Sequence, residues 1–321
     1  MHWVILTDDY PPCDGGVATW TAAVAQGLRA AGDEVSVFCR FRQGLSEARG
    51  VRGPWFGRFG HRWLALAARN ATKRADRVLA TTWTVAQTVV RGRIPVDVIF
   101  HGSDATHENS ERAIVSKQAA RRFSVSGFLQ QRLAAEWLGA AVLPVPVDLV
   151  PMNPLGKRWG FVGRATALKG GDRFIRLVAA AGVEGEIIGD GPELSSWKAL
   201  AEQCGARIAF RGRLSHDAAC SAMLGFERLF LLSRTRADGR GAEGLGLVLA
   251  EAAARGIPSI GSPVGGIPEL ATRVLTDPDD IGASLQQMRI WNIPELREEA
   301  CHRLNGHGVA ATVRRLKQTS G

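Results

Sequence analysis

Two carboxylates, Glu243 and Glu251, stand eight residues apart in the run GAEGLGLVLAEAAARGIPSIGSPVGGIPEL (241–270). At a helical rise of about 1.5 Å per residue they would lie roughly 12 Å apart along an axis. That separation rules out a shared proton or a shared metal ion. It suits the two ends of one elongated ligand. Gly244, Leu245, Gly246 and Leu247 lie between them, and a helix beginning there would attract an anion to its N-terminus.

Other residues of similar character sit at strand-to-helix turns. Gly163-Arg164 ends one apolar strand, and Lys169-Gly170-Gly171 opens the next helix. An arginine fork and a lysine point charge beside a helix N-terminus suit a diphosphate, although solvated surface charges would look the same. Gly15-Gly16 follows the first strand, and such glycines admit a ligand close to the backbone or simply make a turn. His101 ends the buried run VDVIF. It could bond a hydroxyl-rich substrate or shuttle a proton, or it could be structural beside a capping Ser103 or Asp104. His107, His216 and His302 have no such placement and read as surface residues. Gly189-Asp190-Gly191-Pro192 reads as turn chemistry without a catalytic role.

These turns need a scaffold, and the chain alternates strand and helix signals throughout. Strands are expected at 2–7, 34–39, 77–82, 96–101, 122–126 and 141–145, with helices at 17–31 and 62–73. The stretch PVPVDLVPMNPLGKR (144–158) carries four prolines and interrupts the rhythm, so it reads as a linker. The alternation then resumes with strands at 159–163, 185–190, 207–212, 227–233 and 257–261. Helices are expected at 172–181, 193–204, 216–224, around Glu251, and at 307–318. Alternating strands and helices imply parallel βαβ units. The reading is α/β, with two doubly wound Rossmann-like domains, 1–150 and 151–321, facing across a cleft. The last helix is a candidate to pack back on the N-terminal domain.

The chain has 321 residues, 45% of them hydrophobic and 22% charged, which excludes a disordered chain. No apolar run approaches the roughly 20 residues a spanning helix needs. The N-terminus lacks the pattern of a signal peptide. The five cysteines are scattered, with no metal-ligand or CxxC spacing. A cytoplasmic location and no metal are therefore expected.

The net charge is +9, and ten cations against two anions between Arg40 and Arg77 give that segment a local net of +8. Trp55, Phe56, Phe59 and Trp63 are interleaved with Arg58, Arg62 and Arg69. Such a segment suits anionic lipid headgroups. It also suits nucleic acid, or a merely solvated face. No nucleic-acid motif accompanies it, and no nucleic-acid partner is expected.

Taken together, FVGR…KGG, IIGDGPE, FRGRLS, the strand ending at Ser233, EGLGLVLAE and GGIPE resemble the retaining GT-B glycosyltransferases of the large family 4 type. The resemblance covers nearly the whole chain. It implies that Arg164 and Lys169 bind the donor diphosphate and stabilise it as a leaving group. It implies that Glu243 binds sugar hydroxyls, with the Gly244–Leu247 backbone near the phosphates and Glu251 on the ribose hydroxyls. Gly16, with Gly15, would pack near the diphosphate, and His101 would lie beside the transferred sugar. Two cations and a helix dipole would neutralise a nucleoside diphosphate without metal or cofactor. The segment RTRADGRGA (234–242) is basic and longer than the usual loop, so the sugar pocket is expected to differ.

The expected activity is transfer of a hexose or N-acetylhexosamine from a nucleotide-sugar, with UDP-sugars favoured. The acceptor would be a cell-envelope glycan or glycolipid at the inner membrane face. A soluble acceptor, or a basic binding protein on a degenerate scaffold, is the alternative.

Overall fold

The computed structural model describes residues 1–11, 13, 15–40, 48–50, 57–106, 110–235 and 243–318. The chain divides into two compact units, Met1–Pro146 with His307–Gly321, and Val147–Gly306. The division falls inside the proline-rich stretch, and the last segment returns to the first unit.

The first unit is a seven-stranded parallel sheet in the order β3-β2-β1-β4-β5-β6-β7. Its strands are β1 (His2–Thr7), β2 (Glu34–Cys39), β3 (Ala48–Gly50), β4 (Arg77–Ala80), β5 (Val96–Phe100), β6 (Arg121–Ser124) and β7 (Ala141–Val142). Strands β1 and β5 are almost continuously apolar and buried, as strands covered by helices on both faces must be. The connecting helices are α1 (Gly16–Ala30), α2 (Gly57–Thr72), α3 (Trp83–Ala86), α4 (Ser103–Thr106), α5 (Ser110–Gln118) and α6 (Gly127–Ala135).

The second unit is a six-stranded parallel sheet, β10-β9-β8-β11-β12-β13. It comprises β8 (Arg158–Val162), β9 (Glu184–Ile188), β10 (Arg207–Gly212), β11 (Phe226–Leu231), β12 (Ser259–Gly261) and β13 (Arg273–Val274). Its helices are α7 (Gly171–Ala181), α8 (Leu194–Gln203), α9 (His216–Met223), α10 (Leu247–Ala253), α11 (Ile267–Leu270), α12 (Ile281–Arg289) and α13 (Ile293–His302). Its core is built on Trp159, Phe161, Phe174, Trp197 and Phe230. The Phe161 and Trp197 rings meet edge to face at 5.4 Å.

The final helix, α14 (Val309–Lys317), belongs to the first unit. A Cβ at Gly27 of α1 would lie 2.3 Å from Val309 Cγ1, so the missing side chain lets the two helices approach closely. Thr312 Oγ1 donates to Pro144 O at 2.8 Å. Lys317 Nζ pairs with Asp33 at 2.9 Å. Arg121 Nη2 reaches from β6 to the Leu316 carbonyl at 2.7 Å and also donates to Asp97 Oδ2 at 2.6 Å, while its Nε donates to Oδ1 of the same fully buried carboxylate at 3.0 Å.

Several elements differ from the sequence reading. Helix α2 begins at Gly57, ahead of the expected Arg62. Helix α5 was not expected because it buries Arg112, Val115 and Ser116, which leaves no apolar stripe in the sequence. Helices α3, α4 and α11 have four residues each, too short for a period to register. Helix α10 starts only at Leu247, so Glu243 precedes it in a loop and the helical spacing between the two carboxylates does not apply. All five cysteines are free.

Candidate active site

The strand order of the second unit reverses direction at β8, which pairs with β9 on one side and with β11 on the other. Crevices at the C-terminal ends of such neighbouring strands are where open α/β sheets bind ligands. The chain after β8 therefore meets the chain after β11. Gly170 makes the meeting possible. It is left-handed, and a Cβ there would lie 2.0 Å from the Leu232 carbonyl. Arg234 N closes the same gap from the other side, donating to Leu168 O at 2.7 Å.

This approach delivers Lys169 to Glu243. Lys169 Nζ is 2.5 Å from Glu243 Oε2, and Ser233 Oγ donates to the same oxygen at 3.3 Å. Both ion-pair partners are mostly buried. Gly265 holds the Glu243 backbone. It too is left-handed, and a Cβ there would lie 2.0 Å from Glu243 O. Gly266 N donates to that carbonyl at 3.0 Å. The second Gly-Gly turn is thus a bracket for the first carboxylate, a role the sequence reading did not assign.

Arg164 is exposed and makes no ion pair among the described residues. Gly163 N donates to Ile188 O at 3.0 Å, tying the start of this loop to β9. The turn Gly189-Asp190-Gly191 braces it from below, with Asp190 O accepting from Ala165 N at 2.9 Å. Gly244, Leu245 and Gly246 are buried, and Gly246 caps α10 with no side-chain hydrogen bond. The loop ends are further pinned by Arg234, which forks onto Asp172 at 2.6 and 2.8 Å. Asp279 accepts from Arg173 Nε at 2.7 Å, and this bond holds its carboxyl down at about 2. Residues 236–242 of the basic insertion lie outside the described residues.

Glu251 is a separate centre on α10. Burial raises its pKa, against the opposing charges of His216 and Arg255. His216 is at the surface, as expected, and its Nδ1 is 3.7 Å from Glu251 Oε1. Cys220 Sγ lies 3.6 Å from His216 Nε2. Burial pushes the Cys220 thiol up to about 11, with Glu251 adding to the effect. The signal was present in the sequence as His-x3-Cys, one helical turn, but it requires Glu251 from a different helix to become a cluster. His302 is exposed, and His107 lies outside the described residues.

In the first unit, Gly15 caps α1 and Gly16 opens it, without a side-chain cap. From α1, Trp20 packs edge-on against the His101 ring at 5.0 Å, so the helix that the glycine turn opens also contacts His101 after β5. The His101 and Gly102 amides both donate to Asp104 Oδ1, at 3.0 and 2.7 Å. Asp104 is therefore the carboxylate that shapes the turn after β5. Burial raises it to about 6, against those two bonds. Burial also drives His101 down to about 3, and its Nε2 is buried with no hydrogen-bond partner among the described residues. A neutral imidazole with an unsatisfied nitrogen is suited to a ligand hydroxyl. It is not suited to titrate near neutrality.

Of the expected membrane-facing set, Arg62, Trp63 and Arg69 are exposed on α2. The Arg58 side chain lies outside the described residues, as do residues 51–56. Leu66 is also exposed on this helix, while Leu64 and Ala68 are buried.

Two parallel α/β units, one of them with a cation–carboxylate pair at its strand-order reversal, define the GT-B class of sugar transferases. A model described as "Glycosyl transferases group 1" matches residues 156–289, and one described as "Glycosyltransferase Family 4" matches residues 14–150. The chain belongs to the family 4 type of GT-B glycosyltransferases, and it is a nucleotide-sugar-dependent transferase.

A GDP-mannose-dependent alpha-(1-6)-phosphatidylinositol monomannoside mannosyltransferase of Mycobacterium tuberculosis is 27% identical, over 83% of this chain and 81% of that protein. A 2-deoxystreptamine N-acetyl-D-glucosaminyltransferase of Streptomyces fradiae is 29% identical, over 66% of this chain and 45% of that protein. Among solved structures, Anabaena Alr3699/HepE in complex with UDP and glucose superposes with a TM-score of 0.77 at 17% identity, covering 98% of this chain and 97% of that one. Activity on a glycan or glycolipid acceptor is what these likenesses support.

Proposed function

We propose that this enzyme transfers a hexose, with retention of anomeric configuration, from a nucleoside diphosphate sugar to a hydroxyl of a glycolipid at an anionic membrane surface. The carrying observation is the Lys169–Glu243 pair, with Arg164 exposed on the same loop after β8 and without an ion pair among the described residues. Arg164, Lys169 and the α10 amides would bind the diphosphate and take up the charge that develops as it leaves. Glu243 would hold sugar hydroxyls, Glu251 the ribose and His101 the transferred sugar. The reaction breaks the bond from the anomeric carbon to the phosphate oxygen and forms one to the acceptor oxygen on the same face. The acceptor proton passes to the departing phosphate, so no carboxylate nucleophile and no metal is assigned.

The mycobacterial relative directs the donor toward GDP-mannose. The UDP-sugar preference expected from sequence is the second candidate. Incubating the enzyme with GDP-mannose or UDP-N-acetylglucosamine and vesicles carrying phosphatidylinositol monomannoside tests both. The expected product is an α-linked mannoside, its configuration read by NMR. A β-linked product from an α-configured donor overturns the retaining assignment. Transfer from the UDP-sugar alone overturns the GDP-mannose assignment.

The Streptomyces relative favours one alternative, a soluble aminocyclitol-like acceptor. Activity on such an acceptor without lipid, and none on vesicles, selects it. On α2, exposed Trp63 and Leu66 stand among Arg62 and Arg69, a composition that supports docking of that helix in a lipid interface. No helix among the described residues is long and apolar enough to cross a membrane.

A further inference from the structure

Three ligand-type side chains meet behind the helix that carries Glu251. His216 and Cys220 are one turn apart on α9, so they share a face. Ser215 fixes where that helix starts, its Oγ accepting from Ala218 N at 3.3 Å. Glu251 comes from α10. The donor atoms of His216, Cys220 and Glu251 all lie within 4.8 Å of one another.

These spacings can be compared with what an ion requires. With metal–nitrogen and metal–oxygen bonds of about 2.0–2.2 Å and a metal–sulfur bond of about 2.3 Å, a tetrahedral centre places its ligand atoms roughly 3.3–3.6 Å apart. Cys220 Sγ and His216 Nε2 are already 3.6 Å apart. Rotation of the half-exposed His216 ring and a shift of about 1 Å in the Glu251 carboxylate would close the remainder. A thiolate, an imidazole and one carboxylate form a set for zinc-type ions, whereas magnesium and calcium take oxygen ligands. Cys220 is buried and Glu251 nearly so, while the His216 side chain is 48% exposed and marks the way in. Three protein ligands leave a fourth position for water.

We propose that His216, Cys220 and Glu251 form a three-ligand site for a thiophilic divalent cation, and that the ion and the donor nucleotide exclude each other because both use Glu251. Binding deprotonates the Cys220 thiol, and that proton leaves to solvent. The site is inhibitory and separate from the chemistry of transfer. Its exclusion clause rests on the assignment of Glu251 to the donor ribose.

The test uses the full chain, stripped with chelator and titrated with cobalt(II). One equivalent should give the near-ultraviolet thiolate-to-metal band and the visible bands of a tetrahedral centre, and zinc should bleach both. Cys220→Ser should abolish the thiolate band, and His216→Ala should weaken cobalt affinity at least tenfold. Circular dichroism melts confirm that both variants fold. Absence of the band in wild type, or its persistence in Cys220→Ser through another cysteine, overturns the site. Calorimetry then measures GDP and UDP binding with and without zinc. A tenfold or greater loss of affinity in wild type, absent in Cys220→Ser, is expected. Unchanged nucleotide affinity on the zinc-loaded protein overturns the exclusion. A cobalt band without binding of either nucleotide leaves the site standing and sinks the donor reading instead.

Discussion

Lys169 Nζ and Glu243 Oε2 lie 2.5 Å apart although 74 residues separate them in the chain. One follows β8 and the other follows β11, the two strands paired at the reversal of strand order. The pair is mostly shielded from water, so each charge depends on the other and on Ser233. Removing one partner leaves a carboxylate or an ammonium with little solvent to take its place.

Lys169→Ala should lower kcat/KM by about 10²–10³, the loss typical of one removed donor to a developing charge. Glu243→Ala should lower it as well, and the double variant should fall short of the product of the two. The coupling in a double-mutant cycle should be on the order of 1–3 kcal/mol. Additive losses would mean that the two residues act independently.

Gly170→Ala should destabilise the protein far more than Gly205→Ala. Both positions are left-handed, at φ +69° and +66°. A Cβ at Gly205 meets nothing within 4 Å, whereas one at Gly170 meets the Leu232 carbonyl at 2.0 Å. About 1–2 kcal/mol is expected at Gly205 from backbone strain alone. At Gly170, at least about 3 kcal/mol is expected once the clash is added. Urea denaturation measures both. Equal costs would contradict the close approach of the β8 and β11 loops.

His101 makes stability depend on pH. Burial keeps the folded side chain neutral down to about pH 3, while the unfolded chain protonates near the ordinary histidine value of 6.5. The unfolded state therefore binds more protons between those values, and stability rises with pH through that window. Asp104 acts in the opposite sense between the ordinary aspartate value of 3.8 and about 6, where the folded state holds the extra proton. Relative to His101→Gln, the wild type should gain up to about 2 kcal/mol between pH 5 and 7, and nothing further above 7. A wild-type-minus-variant difference that is flat from pH 5 to 7 would rule out a buried neutral imidazole.

The exposed face of α2 should bind anionic vesicles. Each basic residue near a charged surface contributes about 1 kcal/mol, so Arg62→Glu with Arg69→Glu should weaken partitioning at least about 30-fold. Trp63→Ala should weaken it further by removing an interfacial aromatic ring. Flotation with phosphatidylserine vesicles reads all three changes, and retention of full binding in the double charge reversal would exclude this face.

Much of this molecule was legible in one dimension. Strands β1 and β5 lie where the apolar runs place them, because a strand buried on both faces must be apolar along its length, and β2 and β10 lie where residues of alternating character place them. The proline-rich stretch marked the boundary between units, since its prolines cannot continue a sheet or helix. The glycines around Lys169, Glu243 and Gly265 stood out because left-handed turns and close backbone contacts leave few other choices. Helices such as α5 did not stand out, since they bury polar side chains and carry no stripe.

Tertiary structure alone decided which of these signals meet. Strand order is not written in any local period, so nothing along the chain says that the loop after β8 lies beside the loop after β11. The return of α14 to the first unit is an expectation of the sequence, but its contact with α1 is not written locally, and neither is the meeting of His216 with Glu251 from another helix. Residue type and spacing fix local conformation through backbone sterics and burial. A site made by crossover connections exists only once distant segments have paid their loop-closure entropy and packed together.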